Sequence, residues 1–162
     1  MGKMITVGIA DINIAKTEDV LVTYALGSCV GICLYDSQIK LAGLAHIMLP
    51  SSTQLTNVTN QPYKFTDTGI KELLKMMNIN GANPTRLRAK IAGGAQMFAA
   101  MSNSSIANIG DRNVSAVKQW LAMLRIPIVA EDTGKDYGRT LFFDAATGTM
   151  RIKSAKLGEW TF

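Results

Sequence analysis

Ile70, Leu73, Leu74 and Met77 fall at the i, i+3, i+4, i+7 spacing of one helical face. This stripe predicts a helix over residues 66–77, closed off by Gly81 and Pro84. A second stripe, Val114, Val117, Leu121 and Leu124, predicts a helix over residues 111–124 with Asp111 as its N-cap. Elsewhere the apolar positions run together and are rich in β-branched residues. Residues 4–10, 20–26, 30–35 and 41–49 are expected strands, the last two joined by a turn at Asp36-Ser37-Gln38. Residues 86–92 read as another strand, leading through Gly93-Gly94 into a short helix holding Met97, Phe98 and Met101. Residues 126–130, 140–144 and 150–153 supply the remaining strands, with a turn at Thr147-Gly148. Residues 51–63 are polar and aperiodic, a long loop of the kind that is usually functional or mobile. Strands, then a mixed region, then strands again make the fold class α+β. The expectation is a single layered domain of mixed β-sheet strands packed with two to three helices.

Composition narrows the class. A chain of 162 residues, 48% of them apolar, is expected to form one domain over residues 1–162. The two cysteines, Cys29 and Cys33, would lie about 13 Å apart along an extended strand, beyond the roughly 7 Å limit for a disulfide. A reducing cytoplasm is the expected location. The first ten residues lack the shape of a secretory signal, because one short apolar run ends at Asp11. Residues 20–35 carry no charge but are too short to span a bilayer comfortably, so no membrane insertion is expected. The net charge of +5 comes from scattered lysines and arginines without interleaved aromatics, which argues against nucleic acid. A mildly basic surface suits an acidic protein partner instead.

Candidate chemistry centres on Cys29, in the segment Leu26-Gly27-Ser28-Cys29, and on His46, the single histidine, 17 positions later. A thiol becomes a good nucleophile when a base draws off its proton, and imidazole is best suited to that near neutral pH. If Cys29 opens one strand and His46 lies within the next, a hairpin brings them side by side. Gly27 and Ser28 leave room for a substrate carbonyl and let amide N–H groups turn toward a developing oxyanion. Gly93 and Gly94 are read as close backbone packing that walls the cleft. These four residues are the expected substrate-binding positions. Cys33, between Ile32 and Leu34, reads as core. Two cysteines and one histidine are too few and too far apart for a metal site, and Gly93-Gly94 lacks the spacing of a phosphate loop. No cofactor is expected.

The segments Thr23-Tyr24-Ala25-Leu26-Gly27-Ser28-Cys29-Val30 and Gly43-Leu44-Ala45-His46-Ile47-Met48-Leu49-Pro50 closely resemble the CheD family of bacterial chemotaxis proteins. Further segments resemble the family in order: Lys90-Ile91-Ala92-Gly93-Gly94-Ala95 with Met97-Phe98, Asn108-Ile109-Gly110 with Arg112-Asn113, and Glu131-Asp132-Thr133-Gly134 with Gly138-Arg139. One departure is Gly134-Lys135, where family members commonly carry paired glycines; it affects the shape and charge of one loop. The resemblance implies a CheD / cytotoxic-necrotizing-factor-like cysteine hydrolase fold. It also implies an amidohydrolase that converts glutamines of methyl-accepting chemoreceptors to glutamate. The family's catalytic cysteine, histidine and threonine fall on Cys29, His46 and Thr23, the threonine orienting the imidazole. The implied partners are the chemoreceptor cytoplasmic domain and a CheC-type phosphatase. A binding module that regulates such a phosphatase is the alternative, and a cysteine peptidase a third reading of the same chemistry.

Overall fold

In the computed structural model, residues 2–52, 61–97 and 108–162 are described. Two strands, β4 (Val30–Asp36) and β5 (Leu41–Ile47), are buried along nearly their whole length. A strand can bury both faces only between two other layers, and that position explains the continuous apolar runs of both strands.

The central sheet has the order β2 (Asp11–Lys16), β5, β4, β6 (Arg88–Gly93), β7 (Ile128–Thr133). Its pairings are antiparallel except for the parallel β6–β7 edge. One face carries Val30, Ile32, Leu34, Ala45 and Ile47, packed against Ile70, Leu73 and Met77 of α1 (Thr66–Ile79) and Val117 and Leu121 of α2 (Ile109–Met123). The other face carries Cys33, Ala42, Leu44 and Ala92, packed on Leu21, Leu26, Leu141, Phe143 and Ile152. Those partners belong to a second sheet of order β1 (Met4–Thr6), β3 (Val20–Leu26), β8 (Arg139–Asp144), β9 (Met150–Ser154), β10 (Gly158–Thr161). Helices, sheet and sheet thus form the α+β layers expected, with two apolar seams removed from water.

Several details differ from expectation. The strand expected over residues 4–10 ends at Thr6, and a separate strand, β2, follows. Its Asp11 and Asn13 are poor strand formers and hide the alternation of Ile12 and Ile14. The exposed edge strand β10 carries too few apolar residues to announce itself. Pro84–Arg86 forms a single helical turn, so β6 starts at Arg88. Asp111 is not the cap of α2: Asn108 holds that position without a side-chain bond, and Asp111 lies in the first turn, where its charge suits the helix dipole. Met97 is not helical, while Phe98 and Met101 lie outside the described residues. Of the expected 51–63 loop, residues 53–60 lie outside them too, and Pro62–Lys64 is another helical turn.

The chain changes sheets at one informative place. At the end of β3 the register with β8 shifts between Thr23 and Leu26, and Ala25 takes a left-handed φ of +59°. Such bulges re-aim the chain, often beside functional sites. Residues 27–29 then carry it from the second sheet into β4 of the first.

Candidate active site

Thr23 comes from β3 of one sheet and His46 from β5 of the other, and both side chains are fully buried. The Thr23 hydroxyl lies 2.7 Å from the Val7 carbonyl oxygen and 2.7 Å from His46 Nδ1. A hydroxyl has one proton, and a carbonyl can only accept. The proton is therefore donated to Val7, and Oγ1 accepts from His46 Nδ1–H. That fixes the neutral tautomer and leaves the lone pair on Nε2. His46 Nε2 is buried and has no hydrogen-bond partner among the described residues.

Cys29 immediately precedes β4, the strand paired with β5. In the β4–β5 ladder Gly31 faces His46, and Cys29 precedes Gly31 by two residues. It is therefore the diagonal neighbour of His46 on the extension of the ladder. Cys29 packs on the inter-sheet seam that holds His46, yet remains partly exposed, while Cys33 is fully buried. Thr23 and His46 are in direct contact, and Cys29 lies at the edge of the same seam.

The loop carrying Cys29 is tied down from three sides. Gly94 N–H donates to the Cys29 carbonyl at 2.8 Å, and Ala95 N–H donates to the Gly27 carbonyl at 2.8 Å. Asn113 of α2 donates through Nδ2 to the carbonyls of Ser28 and Met48, both at 2.9 Å. Asn113 thus links the loop before β4 to the end of β5. Gly93 has φ +109°, and a Cβ there would lie 2.2 Å from the Cys29 carbonyl oxygen. Gly93 and Gly94 are placed behind the loop backbone, and Gly27 lies beside Met97, whose Cγ would be 3.3 Å from an added Cβ. At the departure from the family pattern, Lys135 adopts φ +64° after Gly134 at +79°. The backbone there is left-handed at two successive residues, the conformation that paired glycines adopt without strain. Lys135 still accepts from Gln96 N–H at 2.8 Å.

Sequence reasoning did not single out Asn113 for this role. The available signal was its register: Asn113, Val117 and Leu121 are four apart, so a polar side chain stands on the buried stripe of α2. A buried amide in such a place needs partners, and it finds two carbonyls at the site.

Burial pushes the Cys29 thiol up from its ordinary pKa, opposed in part by its own backbone N–H. Burial likewise lowers the His46 imidazole to about 4. The pair therefore rests as a neutral thiol and a neutral imidazole, not as a preformed thiolate–imidazolium pair. Burial pushes the Cys33 thiol up, with the Lys90 charge acting against it.

Three outcomes are expected. Unfolded His46 titrates near 6.5 and the folded form near 4, so between those values the unfolded chain binds the extra proton. The contribution is present above pH 6.5 and is lost as pH falls through 4. Denaturant unfolding across this window should show a steeper loss for the native chain than for His46→Gln; equal slopes would contradict the buried neutral ring. Asn113→Ala leaves two carbonyls short of a donor and should cost about 1–3 kcal/mol. Gly93→Ala should cost a comparable amount, about 1–3 kcal/mol, from overpacking alone. Urea midpoints unchanged from the native protein would show that neither residue braces the loop.

A family model described as CheD chemotactic sensory transduction matches residues 48–154, beginning just past His46. The relatives named "Probable chemoreceptor glutamine deamidase CheD" extend over the earlier segment as well. The one from Syntrophomonas wolfei is 52% identical over 98% of both chains, and the one from Lachnoclostridium phytofermentans is 52% identical over 95% of both. That from Caldanaerobacter subterraneus is 53% identical over 94% of this chain and 93% of its own. Identity of this order over nearly the whole of each chain leaves one conclusion: the chain belongs to the CheD family.

Proposed function

We propose that the protein is a protein-glutamine deamidase, converting glutamines of methyl-accepting chemoreceptors to glutamate with release of ammonia. Relatives of that name at half identity over nearly the whole length support the reading. The observation that carries it is a histidine whose Nδ1 is committed to Thr23 and whose Nε2 has no partner among the described residues, with a partly exposed cysteine diagonal to it on the strand ladder. We place the reaction in the cytoplasm; among the described residues no helix is long and apolar enough to cross a membrane.

In this reading Cys29, His46 and Thr23 are the catalytic set. His46 Nε2 takes the thiol proton as Sγ bonds to the amide carbon of the glutamine side chain. Transfer and attack run together, since neither group is charged at rest. The carbonyl oxygen becomes an oxyanion. In a trans peptide the C=O and the following N–H point opposite ways. The Gly27 and Ser28 carbonyls are held inward by Ala95 and Asn113, so the N–H groups of Ser28 and Cys29 face the other side. These are the donors we assign to the oxyanion. The imidazolium then returns its proton to the departing nitrogen, and ammonia leaves a thioester. Water attacks the thioester carbon, giving its proton to Nε2, and glutamate departs as Cys29 recovers its thiol. Thr23 keeps Nδ1–H occupied throughout, so the same nitrogen serves as base and as acid. Gly93 and Gly94 act here through the loop they hold, and Gly27 and Ser28 border the substrate.

The expected pairing with a CheC-type phosphatase forms part of the proposal. Tyr24, three residues before Gly27, and Met97, which packs beside Gly27, are exposed and offer apolar contact to a helix. A phosphatase docked there should inhibit deamidation competitively and slow alkylation of Cys29; unimpaired deamidation in a ternary complex would place it elsewhere.

The chemistry itself is tested with a receptor cytoplasmic fragment and mass spectrometry. Cys29→Ala should abolish the amide-to-acid conversion, and His46→Gln should slow it by about 10²–10⁴-fold. Thr23→Ala should do milder harm, and Cys33→Ala little. Peptide mapping after brief alkylation should find Cys29 labelled before Cys33. Cleavage of the fragment's main chain, or normal turnover by His46→Gln, would sink the assignment.

A further inference from the structure

A cavity of about 460 Å³ opens against the other flank of the Cys29 loop. Ala25 and Met97 are among its lining residues, and Met97 is the side chain that packs on Gly27. Register fixes the rest. Leu26 pairs with Arg139 across β3–β8, and Thr140 pairs with Lys153 across β8–β9. Arg139, Lys153 and Lys156 therefore surround the cavity, with Asp136 as the single acid among its lining residues.

Arg139 is the unusual member. It is only 2% exposed, and a guanidinium is seldom buried unless fully paired. Its Nε donates to Asp132 Oδ2 at 3.1 Å, but Trp160 Nε1 donates to the same oxygen, also at 3.1 Å. Nη1 and Nη2 have no acceptor among the described residues. The Tyr137 ring lies 4.5 Å from the guanidinium carbon, and a ring face attracts a cation without neutralising it. A buried cation thus shares its one counter-ion and keeps two donors unspent, at the wall of a cavity edged by two exposed ammonium groups. A carboxylate answers that arrangement: it accepts from several donors at once and cancels the local charge.

We propose that this cavity is an acidic-side-chain subsite, in which Arg139, Lys153 and Lys156 hold a glutamate or aspartate that neighbours the target glutamine on the substrate protein. The inference rests on the deamidase reading and specifies its substrate: a glutamine with an acidic residue beside it. Apolar contact from Ala25 and Met97 seats the surrounding surface, while the cations select its charge.

The test uses a receptor cytoplasmic fragment and two readouts, ammonia release by the native protein and fragment binding to the Cys29→Ala protein. Lys153→Glu with Lys156→Glu changes only exposed side chains, so folding is not at risk. The double variant should raise KM about tenfold with kcat within about twofold, as expected for lost charge complementarity outside the reacting atoms. In the Cys29→Ala background the same changes should weaken binding by a similar factor, and added salt should weaken the unchanged protein's binding. Exchanging the fragment's acidic residue for lysine should restore binding to the double variant. KM and binding that ignore the charge reversal would overturn the subsite and leave the deamidase reading standing. Charge-dependent binding without any ammonia would do the opposite. A fragment neither bound nor converted would overturn both.

Discussion

The hydrogen bond between Thr23 and His46 joins the two sheets, and everything proposed for the site follows from its direction. The Val7 carbonyl determines that direction, because it can only accept and so claims the hydroxyl proton. The imidazole then has one possible tautomer in its resting state. A serine or cysteine hydrolase commonly uses a carboxylate to orient its histidine, and that also stabilises the imidazolium. Here the orienting group is neutral. The ring is positioned without a compensating charge, consistent with a base whose pKa burial has lowered to about 4.

A weak base next to an unionised thiol has a clear chemical character. The resting thiol carries little thiolate, so small electrophiles and oxidants meet a poor nucleophile. Reactivity depends on a carbonyl arriving in the right place, where the developing charge is met by amide donors on a braced loop. Part of the structure is therefore spent on holding that loop still. Asn113 clamps it from α2, Gly94 and Ala95 from the end of β6, and the left-handed Ala25 turns the chain into it. Left-handed backbone at Ala25 and Lys135 costs of order 1 kcal/mol each. Both residues lie in segments that flank the site.

Much of this was legible in the residues. The helical stripes located α1 and α2, because a helix that covers a sheet must present a 3.6-residue period. The uninterrupted apolar runs at Val30 and Leu41 marked the doubly covered strands. Cys29 and His46 stood out by chemistry and by the small residues before the thiol. What escaped was whatever depends on pairing rather than on composition. Strand β2 exists because β5 offers it an edge, and Asp11 and Asn13 hide it in the sequence. The division of the strands into two sheets turns on the Thr23–Leu26 bulge, which no local propensity announces. Asn113 stood within a family-like segment, but its role depends on the loop carbonyls it holds, which only the fold brings to it. The tautomer of His46 required the Val7 carbonyl, 39 positions away in sequence and contributed by backbone alone.

The passage of the chain from one sheet to the other at residues 27–29 has a consequence for the newly made protein. His46 belongs to one layer, Thr23 to the second, and Cys29 to the joint between them. Before the layers dock, the imidazole is hydrated and free to turn, and the thiol has no aligned acceptor for its proton. The arrangement proposed for catalysis therefore requires the two layers to be docked. A partly assembled chain is inert toward the many glutamines around it, and the closing of the inter-sheet seam acts as a safety catch.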